Sequence, residues 1–374
     1  MPAVASVAVV GGGVAGLASA ILLAEAGVAV DLVEISPEIG AVGSGITLQG
    51  NALRVLRRLG VWDRIAELGC AFDVLGLRTS DGTVLAEIPD ARTGGPDLPA
   101  TVGMGRPDLA RTLADRAATL GVKIRTGTVP TALVQHADGV ELTCSDGSRA
   151  RHDLLIGADG VRSWSRTALG VQLTTRSLGM GIWRAFGARP ASVTRTDLVY
   201  DGPAFIAGYC PTGPDTLYAY FVEAAQDRSG LTPEQRLSTM RELAAAYHGP
   251  WDEIRDSLTD PRRVNYTWFE THLLDGPWHR GRAVLIGDAA HCCPPTLAQG
   301  AAMAMEDAVV LAELLTSADT LDEQLWAEFT ARRLERVRAV VDASVQLCDW
   351  LLAHEQADVT GLIRRIGALV TEAP

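Results

Sequence analysis

Residues 4–10 (VASVAVV) are small and β-branched, and they run straight into Gly11-Gly12-Gly13-Val14-Ala15-Gly16. Residues 14–26 are then rich in alanine and leucine up to Gly27, and a second apolar run at 28–33 ends on Glu34. A buried strand, a G-x-G-x-x-G turn, a helix and a second strand leave few folds open. Gly11 permits the tight turn, Gly13 lets the backbone approach a pyrophosphate, and Gly16 lets the helix pack closely on the sheet. The helix start offers free N–H groups and the positive end of its dipole to the phosphates. Glu34 follows Gly13 by 34 − 13 = 21 positions, close to the ~20 expected of an acid that accepts from ribose hydroxyls. The unit predicts dinucleotide binding, and by itself does not choose between NAD and FAD.

The rest of the chain is consistent with a large soluble α/β protein. Of 374 residues, 47% are apolar and 21% charged, which excludes long disorder. The net charge of −12 argues against nonspecific nucleic-acid binding, which rests on basic patches. No charge precedes Glu25, but the opening lacks a basic leader and is broken by three glycines, so it does not read as a signal or membrane segment. The six cysteines show no C-x-x-C pair and no zinc-like spacing. Helices are expected over 51–68, 106–120, 233–247, 299–315 and 322–353, and a hairpin over 72–88 around Asp81-Gly82.

Two further acids stand just after short apolar strands. Residues 153–157 lead into Ala158-Asp159-Gly160-Val161-Arg162-Ser163. Residues 282–287 end in Gly287-Asp288-Ala289-Ala290-His291, followed by Pro294-Pro295 and then Gln299-Gly300 at the head of a small-residue helix. With Arg106 before the helix at 106–120, these motifs resemble, in order and spacing, the single-component (class A) flavoprotein monooxygenases typified by para-hydroxybenzoate hydroxylase. The resemblance spans roughly residues 4–350. One departure is Ala302, where the family often has asparagine.

The resemblance implies a Rossmann-like FAD-binding domain with an inserted sheet-rich substrate domain and a long C-terminal helix. The expected division is 1–71, 100–175 and 273–320 for FAD, 72–99 and 176–272 for substrate, and 321–374 as a helical segment. Position by position, it implies that Gly11, Gly13, Gly16 and Glu34 serve the adenosine and pyrophosphate, and that Arg106 contacts the phosphate or ribose region. Asp159 would help hold the flavin, and Gly287-Asp288 the ribityl chain or phosphate. Pro295, Gln299 and Gly300 would line the isoalloxazine, and Gly45 would lie on a loop that lets the flavin move.

The implied reaction uses NADH or NADPH and O2 to hydroxylate a small aromatic or heteroaromatic substrate through a flavin C4a-hydroperoxide. The chain would be cytoplasmic, a monomer or homodimer, with no metal, membrane or nucleic-acid partner. The alternative is a flavin dehydrogenase or reductase of the same superfamily without oxygen insertion. A flavin-dependent halogenase would rely on an active-site lysine, and Lys123, the chain's only lysine, precedes an expected strand of the FAD unit.

Candidate substrate residues are harder to read. Alternation over 205–209 puts Phe205, Ala207 and Tyr209 on one face, and Tyr218 and Tyr220 share another. Tyr209 could bond a substrate hydroxyl, Arg184 could pair with a carboxylate or acidic heterocycle, and Thr47 and Gln49 could face the pocket. Each of these residue types is equally at home in ordinary packing. No catalytic base stands out, and His291 reads as a structural member of its turn.

Overall fold

The computed structural model describes residues 2–40 and 44–374. One layer is a six-stranded sheet ordered His279–Arg280, Ala283–Leu285, Leu154–Gly157, Ser6–Val10, Ala29–Val33 and Lys123–Arg125. Every pair is parallel except the hairpin at the His279–Arg280 edge. Parallel strands are covered on both faces, which is why they read as continuous apolar runs. Helix Val14–Glu25 is buried from Ala15 to Leu23 and packs against helices Arg106–Thr119 and Gly300–Ser317.

Because these strands run in one direction, their C-terminal ends share one edge of the sheet. There the chain places Gly11–Gly13, Glu34, Ala158 and Gly287-Asp288, each just past a strand. Ligands of open α/β sheets bind outside that edge.

The second layer is an eight-stranded sheet. Its order is His291–Cys292, Val264–Leu273, Arg176–Ala188, Thr216–Ala224, Ile206–Pro211, Asp197–Val199, Val74–Arg78 and Val84–Pro89. The hairpin expected over 72–88 is therefore joined to strands more than a hundred residues later, through Val74–Arg78 beside Asp197–Val199. Helices Pro233–Ala244 and Pro250–Ser257 belong to an apolar core that covers one face, built on Trp183, Tyr209, Phe221, Tyr247 and Trp251. The other face looks across a cavity to the first layer.

The helix expected over 322–353 forms as Glu323–Leu352. A separate last helix, Val359–Thr371, follows it within the segment 321–374 that was expected to be helical. Gly361 and Gly367 weaken its intrinsic propensity, so its stability depends on the wall it packs against. A three-stranded sheet pairs Gly45–Gln49 with Thr101–Gly105, and Cys70–Phe72 with the same strand. Residues 41–43 of the glycine-rich loop before it lie outside the described residues. No helix among the described residues is long and apolar enough to cross a membrane.

Candidate active site

The edge of the parallel sheet and the open face of the large sheet enclose one cavity of about 1570 Å3. On the first side, the glycines do different jobs. Gly11 has a φ of +108°, and a Cβ there would collide with the Ala158 carbonyl. A Cβ at Gly16 would collide with the Gly11 carbonyl, so both positions need a bare backbone for packing. Gly13 is open, with nothing within 4 Å of where its Cβ would be, and it lines the cavity as the N-cap of Val14–Glu25 without a side-chain cap. Its bare face and the free N–H groups of the first turn are accessible to an anion.

Glu34 lines the cavity with a fixed carboxylate. Oε2 accepts from the Gly12 N–H at 2.7 Å and Oε1 from the Ser36 N–H at 2.8 Å. Its remaining lone pairs are free for hydroxyl donors. Arg106 and Asp288 also line the cavity, and neither side chain bonds a described residue. Both are reached across the cavity yet surrounded by protein. Burial lowers the Arg106 pKa, with the Arg184 guanidinium adding to it, and burial raises the Asp288 carboxyl. Pro295, Gln299 and Gly300 complete this side. A guanidinium and a carboxylate with no side-chain bond among the described residues, and a helix start without a side-chain cap, fit the phosphates and hydroxyls of a dinucleotide such as FAD.

Four of the expected cofactor residues stand one step back. The Asp159 carboxylate turns into its own loop, accepting from the Ser163 hydroxyl and from the Ser165 N–H at 2.8 Å. It shapes the loop whose Ala158 and Gly160 reach the cavity. Gly287, at φ +57°, packs under helices: a Cβ would sit 3.1 Å from those of Ala15 and Ala304. Gly11 and Gly16 are likewise packing positions.

On the other side, Arg184, Tyr218, Tyr220, Thr47 and Gln49 all line the cavity. Arg184 pairs opposite Tyr220 across the sheet, donates from Nε to the Tyr218 hydroxyl at 3.2 Å, and bonds Thr267. A Cβ at Gly45 would strike the Tyr218 ring, so the glycine sets how closely the two layers meet. Gln49 donates to the Leu297 carbonyl at 3.1 Å and accepts from Gln299. Burial raises the Tyr220 hydroxyl well above its ordinary pKa, which keeps it a neutral donor.

Tyr209 is the correction. The strand begins at Ile206, so Phe205 lies outside the alternation that was expected to group it with Tyr209. Phe205 lines the cavity, while Tyr209 is fully buried in the far core, its hydroxyl on Asp197 Oδ2 at 2.8 Å. Arg78 donates to the same oxygen at 2.5 Å. Tyr209 is a core residue and does not reach the cavity.

The residues that hold this site from behind were not found in the sequence. Arg333 and Arg336 of Glu323–Leu352 are buried against Glu306 and Asp307, at 3.0 Å and 2.8 Å for Arg333 and 2.8 Å for Arg336 to Glu306. Asp307 Oδ2 accepts the Gly287 N–H at 2.9 Å and meets His291 Nε2 at 2.6 Å. Burial works against the Asp307 charge, yet His291, Arg333 and that N–H hold its carboxyl below the usual range. Asn51 Nδ2 bridges Glu306 and the Gln299 amide oxygen, at 3.2 Å and 2.9 Å. Behind Asp288, His272 Nε2 meets the Asp288 carbonyl at 2.9 Å and Nδ1 meets the Thr175 hydroxyl at 2.8 Å. A proton on Nε2 lets the ring donate to that carbonyl and accept from Thr175, and burial drops its pKa to about 4. A visible signal existed for the first group: two adjacent acids inside an otherwise apolar helix, and two arginines three apart in the next.

The whole chain is similar to known proteins. Residues 4–344 match the FAD binding domain family. The chain is 30% identical to the aurachin C monooxygenase/isomerase of Stigmatella aurantiaca, over 91% of this chain and 88% of that one. It is 32% identical to the 3-amino-4-hydroxybenzoate 2-monooxygenase of Streptomyces cremeus, over 89% and 84%. Its fold matches Klebsiella pneumoniae HpxO, solved with FAD and uric acid, at a TM-score of 0.84, covering 99% of this chain and 97% of that one at 23% identity. The chain belongs to the class A family of FAD-dependent aromatic monooxygenases.

Proposed function

We propose that this FAD-dependent monooxygenase hydroxylates an aromatic or heteroaromatic ring bearing an ionisable hydroxyl, with NAD(P)H and O2 as co-substrates. The observation that carries the reading is the single cavity joining the phosphate-binding edge to the Arg184–Tyr218–Tyr220 face. At about 1570 Å3 it exceeds the roughly 300–1,000 Å3 of an ordinary ligand pocket, so a dinucleotide and a second ligand share it. Similar proteins support the ring: one is named for 3-amino-4-hydroxybenzoate, and another was solved with uric acid.

Bound FAD supplies hydride acceptance from NAD(P)H and activation of O2. The chain's own residues supply position and polarity. The first turn of Val14–Glu25 with Gly13 would hold the pyrophosphate, Glu34 a ribose, and Arg106 and Asp288 the phosphate and ribityl region. The backbone at Pro295 and at Gln299-Gly300 would lie along the ring system. Arg184 would pair with the substrate oxygen. A guanidinium beside a phenol or hydroxy-heterocycle favours its ionised form, which enriches the ring for attack by an electrophilic oxygen. Tyr220 and Thr47 would donate to the ring's polar groups, and Ile182, Val222 and Phe269 would keep water out.

We assign 1–71, 100–175 and 273–320 to the cofactor, 72–99 and 176–272 to the substrate, and 321–374 to support of both. The six cysteines are unpaired thiols, in keeping with a reducing cytoplasm that also provides NAD(P)H.

The test is to load the protein with FAD and follow NADH and NADPH oxidation, O2 uptake and product mass over a panel of hydroxylated aromatics and heterocycles. A compound that accelerates oxidation and gains one oxygen atom is the expected result. The same product formed without O2 would overturn the reading in favour of a flavin dehydrogenase.

A further inference from the structure

The substrate side of the cavity is longer than a ring requires, and its chemistry changes from strand to strand. At its centre stand Arg184, Tyr218 and Tyr220. Moving outward across the sheet, the cavity is lined by Ile206, then Leu198, then Leu75 and Leu77, then Ile88 on the edge strand. The register sets these side by side: Ile206 is opposite Val222, Leu198 beside Leu77, and Leu75 opposite Ile88. None of the residues that these four outer strands turn to the cavity is charged. Four inter-strand steps of ~4.8 Å make a trough of roughly 19 Å.

The facing wall is the last helix. Val359, Ile363, Ile366 and Val370 recur at helical spacing, and all four line the cavity. Ile366 and Val370 are buried, whereas Val359, Ile363 and Ile88 are 40%, 50% and 43% exposed. Val359, Ile363 and Ile88 thus bring exposed apolar surface to the cavity itself, whereas Ile35, Leu85, Val134 and Trp268 are exposed away from it. The trough and the ring site belong to one cavity.

We propose that the substrate carries an apolar extension several carbons long, seated between the outer strands and the last helix, with its polar ring at Arg184. This rests on the aromatic-hydroxylase reading. It makes the last helix a specificity element, with Leu77, Leu198 and Ile363 selecting for the extension.

The experiment uses FAD-loaded full-length protein and hydroxyquinolines whose alkyl chain grows from methyl to nonyl. Binding is read from perturbation of the flavin absorbance without NAD(P)H, and turnover from product mass. Each methylene is expected to lower Kd about three- to fourfold until the trough is full. Ile363→Glu and Leu77→Glu are expected to lose most of that gain. Val134→Glu, at an exposed apolar site outside the cavity, controls for nonspecific binding and leaves the slope unchanged. A Kd that stays flat or rises with chain length, while the methyl compound binds and is hydroxylated, overturns the extension and leaves the hydroxylase. A full slope in both trough variants overturns it as well, since the chain would then bind elsewhere. If no ring of any length perturbs the flavin or gains oxygen, the hydroxylase reading itself fails.

Discussion

The two walls of the cavity are built by different means. The wall proposed for the cofactor is mostly backbone: strand ends, an uncapped helix start and turns whose glycines leave room for it. The wall proposed for the substrate is mostly side chains, contributed by seven neighbouring strands of a sheet whose order crosses the chain repeatedly. A backbone site is specified by short motifs, because a strand, a turn and a helix are local objects. A side-chain site is specified by which face a residue takes and which strand lies beside it. The first is rigid and intolerant; the second can be re-lined while the fold survives.

The sharpest break of this comparison is Gly11→Ala on the backbone side. The new Cβ meets the Ala158 carbonyl at a positive φ, where strain and overpacking together cost several kcal/mol. Purified protein is expected to carry no FAD by its absorbance ratio. A stoichiometric flavin content in that variant would refute the packing role of the turn.

Next in size is Arg333→Met. It leaves Glu306 and Asp307 buried with one cation fewer, a loss of about 3–5 kcal/mol when a buried pair is broken. Urea denaturation measures it, and weaker FAD retention should accompany it through Gly287 and Gln299. An unchanged midpoint would mean that Arg336 on Glu306 and His291 on Asp307 suffice without it.

His272 provides a pH handle on the same wall. Its folded pKa of about 4 lies below the ordinary value near 6.5, so the unfolded chain binds more protons between those two values. Stability is complete above about pH 6.5 and falls as pH drops toward 4. The loss is of order 3 kcal/mol. His272→Gln keeps a donor for the Asp288 carbonyl and an acceptor for Thr175, and should flatten stability over that window. Parallel curves for the two proteins would assign the acid sensitivity elsewhere.

On the side-chain wall, Arg184→Met should leave flavin content intact. It should cut kcat/KM about 10- to 100-fold, the worth of a charged hydrogen bond. The pH–rate profile should move to the alkaline side, because the substrate hydroxyl loses its cation. A fall in activity without that movement would make Arg184 a packing residue. The smallest effect belongs to Tyr209→Phe. It removes one hydrogen bond to Asp197, which keeps Arg78 and Arg195, so stability should drop by about 1 kcal/mol with kcat and KM unchanged. A large change in KM would return Tyr209 to the substrate site.

The fate of particular residues shows what was legible. Gly13, Glu34, Arg106, Asp288, Pro295, Gln299 and Gly300 were named from motifs, and the structure turns all of them to the cavity. Asp159 was named by the same means, but its carboxylate serves its loop; a motif marks where a loop must be, not which of its atoms face outward. Tyr209 was misplaced because alternation gives the correct face only once the first residue of a strand is known. Arg333, Arg336 and His272 were missed because each acts through a partner 16 to 30 residues away in sequence.

From sequence alone came the dinucleotide unit, the three acid-bearing strand ends and the insertion of a sheet between them. All depend on local backbone geometry and short-range periodicity, which a linear reading carries. Tertiary structure decided the face of each aromatic residue, the union of the 72–88 hairpin with the large sheet, and the closing of the cavity by the last helix. These follow from pairing and burial between distant segments, where hydrophobic contact rather than local propensity selects the partner.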